Sequence, residues 1–185
     1  MPAARDPRPL TGEPLALDLL NTRWMEEGEV RDLLTDLDGL AVWLDANGLG
    51  GDYAADVKVL RHTLQARDAL KAAVDASLED ASLTEGARLV DAVLAHGRIR
   101  ATLTVTGPGE LPEFPDPSWG PAWLAARNYL ELLATAPDRI RGCAHEACIL
   151  HFFDTSRNGT RRWCSMAACG NRAKASRHYA RTKGA

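Results

Sequence analysis

The sequence lacks any apolar run that approaches the about 18–20 residues required for a membrane-spanning helix. Its N-terminal residues also contain no apolar stretch behind their arginines that could form the core of a signal peptide. These absences predict a cytoplasmic protein that has no membrane partner. Thiols stay reduced in that compartment, so the four cysteines of the chain are more typical of metal binding than of disulfide bonds.

Catalytic sequence patterns are also missing. The chain contains no nucleophile motif, no glycine-rich phosphate loop, and no cluster of histidines and carboxylates. It shows no internal repeat and no low-complexity segment either. We therefore expect no enzymatic activity and assign no catalytic residue.

Negative charge dominates most of the chain but is scarce near its C-terminus. Residues 1–138 carry 12 Lys and Arg against 23 Asp and Glu, a net charge of −11, whereas residues 139–185 carry 10 against 2, a net charge of +8. All four cysteines lie in the basic segment. Segments that differ in both charge and chemistry predict two modules, which we place at residues 1–136 and 137–185.

Apolar periodicity predicts that the acidic module is rich in α-helices and has one small β element. Apolar side chains recur every three or four positions near residues 37–44 and 54–78, and again after the capping pattern Ser82–Glu85. Residues 98–106 instead alternate apolar and polar side chains, which is the pattern of a half-buried strand. Ser118 is the expected N-cap of the helix that follows.

Asp18, Asn21 and Thr22 are polar residues in and beside the apolar run LALDLL. They could line a pocket for a small molecule, or they could make local caps and buried hydrogen bonds. The spacing of the residues leaves both alternatives open.

The cysteines form two pairs in the pattern C-x4-C-x15-C-x4-C. Equal spacing within the pairs and a gap of hairpin size between them predict a structural zinc site, because four thiolates satisfy a tetrahedral Zn²⁺ ion. A segment this short also needs such a crosslink, since it cannot build much of a core. His145 and His151 are possible substitute ligands, and free thiols or two disulfides are the alternatives to a metal. The predicted metal ligands are Cys143, Cys148, Cys164 and Cys169.

The residues between the cysteine pairs predict a β-hairpin. ILHFFDT is prone to form a strand, Asn158-Gly159 is the strongest short signal for a hairpin turn, and RRW leads back to Cys164. The expected order is a cysteine knuckle, a two-stranded hairpin, a second cysteine pair and a helix. The predicted fold class is therefore mainly α with a small β element, an α-rich N-terminal domain followed by a small treble-clef-like zinc finger.

The last residues of the chain predict a helix with one basic face, since spacings of three and four place their cations on one stripe. Three arginines of the predicted hairpin extend this positive surface. Lys and Arg suit phosphate groups, and Asn and Arg can read purine edges. The alternative is a solvated basic helix that contacts the acidic module. The predicted nucleic-acid-binding residues are Arg157, Arg161, Arg162, Asn171, Lys174, Arg177, His178 and Arg181.

The stretch GCAHEACILHFFDTSRNGTRRWCSMAACGNRAKASRHYAR, residues 142–181, resembles the CGNR zinc finger and includes every cysteine. Gly142 is a departure, because the family often has a cation before the first cysteine. LALDLLNT near the N-terminus is similar to the opening LALDFxNT of the ABATE domain, which usually precedes this finger. The resemblance implies a bacterial, stress-induced transcriptional regulator whose finger binds DNA, behind an α-rich domain with a small β element.

Two residues of the signature are expected to support the finger. Glycine costs about 1 kcal/mol inside a helix, so Gly170 predicts that another segment of the chain passes close by. Arg172 falls on the packing side of the predicted helix, and we expect it to bond to the backbone of the knuckle or the hairpin.

The predicted function is a transcriptional regulator that binds DNA through a four-cysteine zinc finger, with structural Zn²⁺ as its cofactor. The N-terminal domain is expected to sense a small-molecule effector or to mediate formation of a homodimer. The alternative is a protein-interaction module whose basic finger docks on an acidic partner. RNA is also open as a substitute for DNA.

Overall fold

The computed structural model describes residues 5–79, 82 and 84–171. Its helices are α1 Leu15–Leu20, α2 Leu37–Ala46, α3 Val57–Leu78, α4 Thr84–Leu94 and α5 Gly120–Thr135. Three antiparallel hairpins join them, formed by β1 Arg23–Glu26 with β2 Glu29–Asp32, β3 Arg98–Thr104 with β4 Gly107–Glu113, and β5 Ile140–Gly142 with β6 His151–Phe153. Helices with small hairpins confirm the predicted fold class. No helix within the described part of the chain is long and apolar enough to cross a membrane.

The long helix α3 is the centre of the fold, and it packs against α1, α4 and α5. Asp56 caps its start by accepting hydrogen bonds from the amides of Lys58 and Val59. The buried face of α3 is rich in alanine, which lets neighbouring helices approach closely. A Cβ at Gly86 of α4 would lie 2.6 Å from the Cα of Ala73, so this helix crossing requires glycine.

One buried carboxylate ties α1 to α2 and to the loop before α1. Asp18 is 1% exposed, and its Oδ1 accepts hydrogen bonds from Arg8 Nη1 at 2.7 Å, Asn47 Nδ2 at 2.9 Å and Trp43 Nε1 at 3.1 Å. Its Oδ2 accepts from the amide of Gly12 at 3.1 Å. A buried charge is tolerated when it is paired and hydrogen-bonded in this way.

A second ion pair fastens the β1–β2 hairpin to α3. Arg67 donates to both oxygens of Asp32, at 2.7 and 2.8 Å, and to the Oγ1 of Thr22 at 2.9 Å. Burial alone would raise the pKa of Asp32, but the hydrogen bond and positive charge of Arg67 outweigh burial and lower that pKa. Thr22 is therefore part of a buried polar contact between α1 and α3.

The β3–β4 hairpin differs from its prediction. The strand forms and pairs in register with β4, with Ile99 opposite Pro112 and Leu103 opposite Pro108. Ile99 is half-buried as expected, but Leu103 is 82% exposed, so the expectation of a half-buried apolar face is wrong for the outer half of the strand. Alternation predicts a strand with an apolar face, but it carries no information on what packs against that face.

The start of α5 also differs. Ser118 does not cap α5, which begins after Trp119 without a side-chain cap; Asp116 instead caps the preceding turn by accepting the Ser118 amide at 3.0 Å. A short helical turn, Pro117–Trp119, precedes α5 and places the Trp119 indole in a stack between the imidazoles of His62 and His96.

The hydrophobic core runs through both predicted modules. It includes Leu17 and Leu19 of α1 together with Leu150, Phe152 and Cys164 of the basic segment. The contacts thus extend across the predicted boundary, and the division at residue 136 stays a prediction.

We expect Asp18→Ala to lower the free energy of unfolding by about 1–3 kcal/mol, because it leaves the buried Trp43 indole without its acceptor and Arg8 with Asp6 as its remaining carboxylate partner. Urea denaturation of the zinc-loaded chain measures this loss. Asp38→Ala is the control, since Asp38 is exposed in the first turn of α2 and its removal should cost less than about 1 kcal/mol. Equal losses in the two variants would contradict the role given to Asp18.

Candidate metal centre

The first cysteine pair lies in the loop of the β5–β6 hairpin. Gly142 at the end of β5 is opposite His151 of β6, and the amide of Cys143 donates to the carbonyl of Leu150 at 2.9 Å. The amide of Cys148 donates to the carbonyl of His145, which closes a tight turn between the two cysteines. The turn returns the chain on itself and brings the two sulfurs to the same end of the hairpin.

The finger thus contains a small β-hairpin, but the prediction that a hairpin lies between the two cysteine pairs is wrong. We expected β6 to pair with the RRW segment, residues 161–163; instead, β6 pairs with β5, which precedes the first cysteine. A strand of three residues is too short to show a period of two, so β5 was missed.

The Asn158-Gly159 signal does mark a turn, although no strand pair flanks it. Gly159 has φ +62°, a conformation that favours glycine, and its amide donates to the carbonyl of Ser156 at 3.2 Å. The Arg139 guanidinium lies within 3.3 Å of the position that a Cβ of residue 159 would occupy. This turn packs on Arg139 instead of joining two strands.

The second cysteine pair brackets the start of a helical turn, Met166–Gly170. Ser165 caps this turn by accepting the amide of Ala168 at 3.3 Å. Cys164 comes directly before the cap, and Cys169 lies within the turn. The expected position of these ligands around the first turn of a helix is thus observed.

The four sulfur atoms form one compact cluster, lying within 4.8 Å of one another. The Sγ of Cys164 is 3.8 Å from that of Cys148 and 3.6 Å from that of Cys169. A tetrahedral zinc ion with Zn–S bonds of about 2.3 Å requires sulfurs about 3.8 Å apart. None of the four cysteines forms a disulfide, so all of them can act as ligands.

Hydrogen bonds between neighbouring sulfurs shift the pKa values of three of these thiols. Hydrogen bonds from Cys148 and Cys164 lower the pKa of the Cys143 thiol far below its usual value. The hydrogen bond to Cys143 raises the pKa of Cys148 to about 12 and also raises that of Cys164. Thiolates this close repel one another, so a bound divalent cation favours the ionised form of all four ligands.

The two histidines considered as substitute ligands lie outside the sulfur cluster. His145 Nδ1 accepts the amide of Ala147 at 3.2 Å. His151 is buried against α3, with its Nε2 3.9 Å from Asp75, and burial lowers its pKa to about 4. The donor set in the described residues is thus four cysteines.

Polar side chains brace the loop between the cysteine pairs, and the sequence reasoning missed two of them. Asp154 is buried and accepts the amides of Ser156 at 2.9 Å and Arg161 at 3.0 Å. Arg139 donates to the carbonyls of Asp154 and Ser156. Asp154 lies in the stretch FDTSRNG. Its neighbours are aromatic and polar, and this pattern does not predict that the carboxylate is buried.

Arg161 is directed into the finger. Its guanidinium donates to the carbonyls of Trp163 and Cys164, lies 4.2 Å from the centre of the Phe152 ring, and pairs with Glu13 at 3.3 Å. These contacts brace the backbone around a metal ligand. A phosphate contact by Arg161 stays a prediction.

Three other predicted contact residues are exposed. Arg157 lies on the Ser156–Gly159 turn, Arg162 covers the ring of Trp163 at 5.1 Å, and Asn171 directly follows the Met166–Gly170 turn. The predicted residues that lie outside the described part of the chain are Arg172, Lys174, Arg177, His178 and Arg181.

Gly170 has a close neighbour, but the neighbour belongs to its own turn. A Cβ at this position would lie 2.7 Å from the Sδ of Met166 and 3.5 Å from the indole of Trp163. We expected a separate segment of the chain to pass close to Gly170, but its close neighbour is the exposed side chain of Met166, four residues earlier.

Asn21 proves to be a contact between the helical region and the finger. Its Nδ2 donates to the carbonyl of His151 at 2.8 Å, and its Oδ1 accepts the amide of His151 at 2.9 Å. Asp18, Asn21 and Thr22 thus all make buried hydrogen bonds within the protein. This was one of the two alternatives for these residues, the other being a pocket for a small molecule. A ligand pocket at these three residues stays a prediction.

Two family models match the chain in succession. ABATE, described as "Putative stress-induced transcription regulator", matches residues 13–136, and a model described as "CGNR zinc finger" matches residues 139–182. Both matches, in this order, confirm the resemblance drawn from the sequence. A search of curated proteins found no match. The finger match and the sulfur geometry together identify structural zinc as the cofactor of the four cysteines.

We expect Cys164→Ser to lose most of its zinc and to unfold the finger, because it removes a buried ligand from a site whose binding energy is folding energy. His145→Ala should keep about one ion per chain, as a four-cysteine site does. Metal analysis of the purified proteins by mass spectrometry measures both. Zinc loss in His145→Ala, or retention in Cys164→Ser, would contradict this ligand set.

Proposed function

The chain belongs to the ABATE family of transcription regulators, and from this premise we propose that it regulates transcription by binding DNA through its C-terminal zinc finger. The proposal assigns no catalytic activity to the chain and places its action in the cytoplasm. The zinc ion holds the finger together, and side chains on the finger contact the nucleic acid.

The observation that carries this proposal is the contrast between two pairs of arginines in the described part of the finger. Arg139 and Arg161 are directed inward, onto backbone carbonyls. Arg157 and Arg162 are exposed, and neither is paired with a carboxylate of the described residues. Exposed cations on a rigid support release counterions when they contact phosphate, which is the main source of affinity without sequence preference.

The charge of the helical region favours contact through the finger alone. Residues 1–138 carry a net charge of −11, which repels phosphate, whereas residues 139–185 carry +8. A single finger reads few bases, so useful specificity calls for a homodimer that binds two half-sites. We assign dimer formation, or the sensing of a small-molecule effector, to the helical domain.

We expect binding of the zinc-loaded chain to a random DNA duplex to weaken steeply with salt. If about five phosphates are neutralised, log affinity falls against log salt concentration with a slope near −4.5. Fluorescence anisotropy at several salt concentrations measures the slope. Zinc-loaded protein that shows no DNA binding, and no enrichment from a random DNA pool, would favour an acidic protein partner instead.

We expect Arg162→Gln to weaken DNA binding and Arg161→Gln to weaken the folded finger, so that the two variants distinguish a phosphate contact from structural support. Arg162→Gln should reduce the salt slope by about 1 and weaken binding to all sequences, with stability unchanged. Arg161→Gln should lower the free energy of unfolding by about 1–3 kcal/mol, because it leaves backbone carbonyls without their donor. Anisotropy and urea denaturation measure the two effects. A slope unchanged in Arg162→Gln would place the phosphate contacts elsewhere.

A further inference from the structure

The outer edge of β6 is covered by side chains from the helical domain. On one side, β6 pairs with β5; on the other, Asn21 exchanges two hydrogen bonds with the backbone of His151, at 2.8 and 2.9 Å. Asn21 is fully buried, and it meets the amide and carbonyl of one residue as a neighbouring strand would. An amide side chain thus replaces a third strand of the finger's sheet.

Glu13 makes the next contact along the same edge. Its Oε2 accepts the amide of Phe153 at 2.9 Å, and its Oε1 pairs with Arg161 at 3.3 Å. Arg161 in turn donates to the carbonyl of Cys164. The side chains of Glu13 and Arg161 therefore connect the segment before α1 to the backbone of the metal ligand Cys164.

An apolar contact accompanies these hydrogen bonds. Phe152 is fully buried and Leu150 is 4% exposed, and both belong to the core that contains Leu17 and Leu20 of α1. At the end of β5, a Cβ on Gly142 would lie 3.6 Å from the side chain of Leu78 on α3. The hairpin that carries the first cysteine pair is thus packed on two helices of the other domain.

We propose that Asn21 and Glu13 are positioning residues of the zinc site, so that the helical domain supplies part of the zinc-binding free energy. Without these contacts, three backbone groups on the edge of β6 lose their partners, and an unpartnered buried group opposes folding. Binding of zinc is coupled to folding of its site, so whatever stabilises the folded hairpin raises zinc affinity.

This coupling acts in both directions, because linkage between two sites is reciprocal. Zinc loading holds α1 and the segment before it in place, and loss of zinc loosens them. A change in the helical domain therefore reaches the finger through Asn21 and Glu13, whatever the finger binds. The proposal depends on the zinc site and is independent of DNA binding.

Zinc affinity of the full chain tests the first direction. Competition with a chromophoric chelator should give Asn21→Ala an about tenfold weaker affinity for zinc than the natural sequence, which corresponds to about 1.4 kcal/mol. The matched control is Asn47→Ala, since Asn47 also donates two side-chain hydrogen bonds in the same domain but donates them to Asp18 of α1 and Trp43 of α2. Its zinc affinity should stay within about twofold of the natural sequence, within the usual additivity of distant sites.

Equal zinc affinities in Asn21→Ala and Asn47→Ala, both folded by circular dichroism, would overturn the proposal. Should Asn21→Ala fail to fold, Glu13→Gln provides the same test, because it keeps an acceptor for Phe153 but loses the charge that pairs with Arg161. We expect an about threefold weaker zinc affinity for Glu13→Gln, and an unchanged affinity would overturn the proposal.

Hydrogen exchange on the natural sequence tests the reverse direction. Removal of zinc by a chelator should speed exchange of the α1 amides about tenfold or more, while the amides of α2 keep their protection. These readouts need no DNA, so failure of DNA binding would leave them unchanged. Faster exchange in β6 with α1 unchanged would show that the two domains are independent and would overturn the proposal, as would unchanged exchange in both.

Discussion

Repulsion among four thiolates is the constraint on which the finger depends. Thiolates whose sulfur atoms lie within 4.8 Å of one another repel, and a divalent ion offsets that repulsion. The ion then joins a hairpin loop, which carries Cys143 and Cys148, to the start of a helical turn, which carries Cys164 and Cys169. With little secondary structure between them, the rest of the finger takes its shape from this crosslink.

The polar residues of the finger signature serve mainly to make the backbone compatible with that crosslink. Asp154 accepts hydrogen bonds from two amides of the loop, and Arg139 donates to two of its carbonyls. Arg161 donates to the carbonyls of Trp163 and Cys164. A signature made of such contacts is specific for an architecture. Under the proposed function, any nucleic acid sequence would be read by the exposed side chains that remain.

Local patterns predicted the parts of the fold that depend on neighbours in sequence. Spacing of the cysteines predicted their clustering, and apolar periodicity predicted α2 and α3. The partner of β6 escaped prediction because β5 is too short to show periodicity. Asn21 lies 130 residues from His151, and nothing local distinguishes an amide that completes a distant sheet from one that caps its own helix. The exposure of Leu103 could not be predicted either, because the burial of a strand depends on which distant element packs against its face.

The attachment of a basic finger to an acidic domain also has a physical consequence. Glu13 and the apolar residues around Phe152 fix one side of the finger against the helical domain, whose negative charge opposes the approach of phosphate from that side. Screening limits this repulsion to about 8 Å at physiological salt, so it acts on a ligand only near contact. Under the proposed function, the acidic domain disfavours DNA on its own side of the finger, and the exposed Arg157 and Arg162 are candidates to contact it elsewhere. The same docking that stabilises the metal site thereby determines which face of the finger a polyanion can reach.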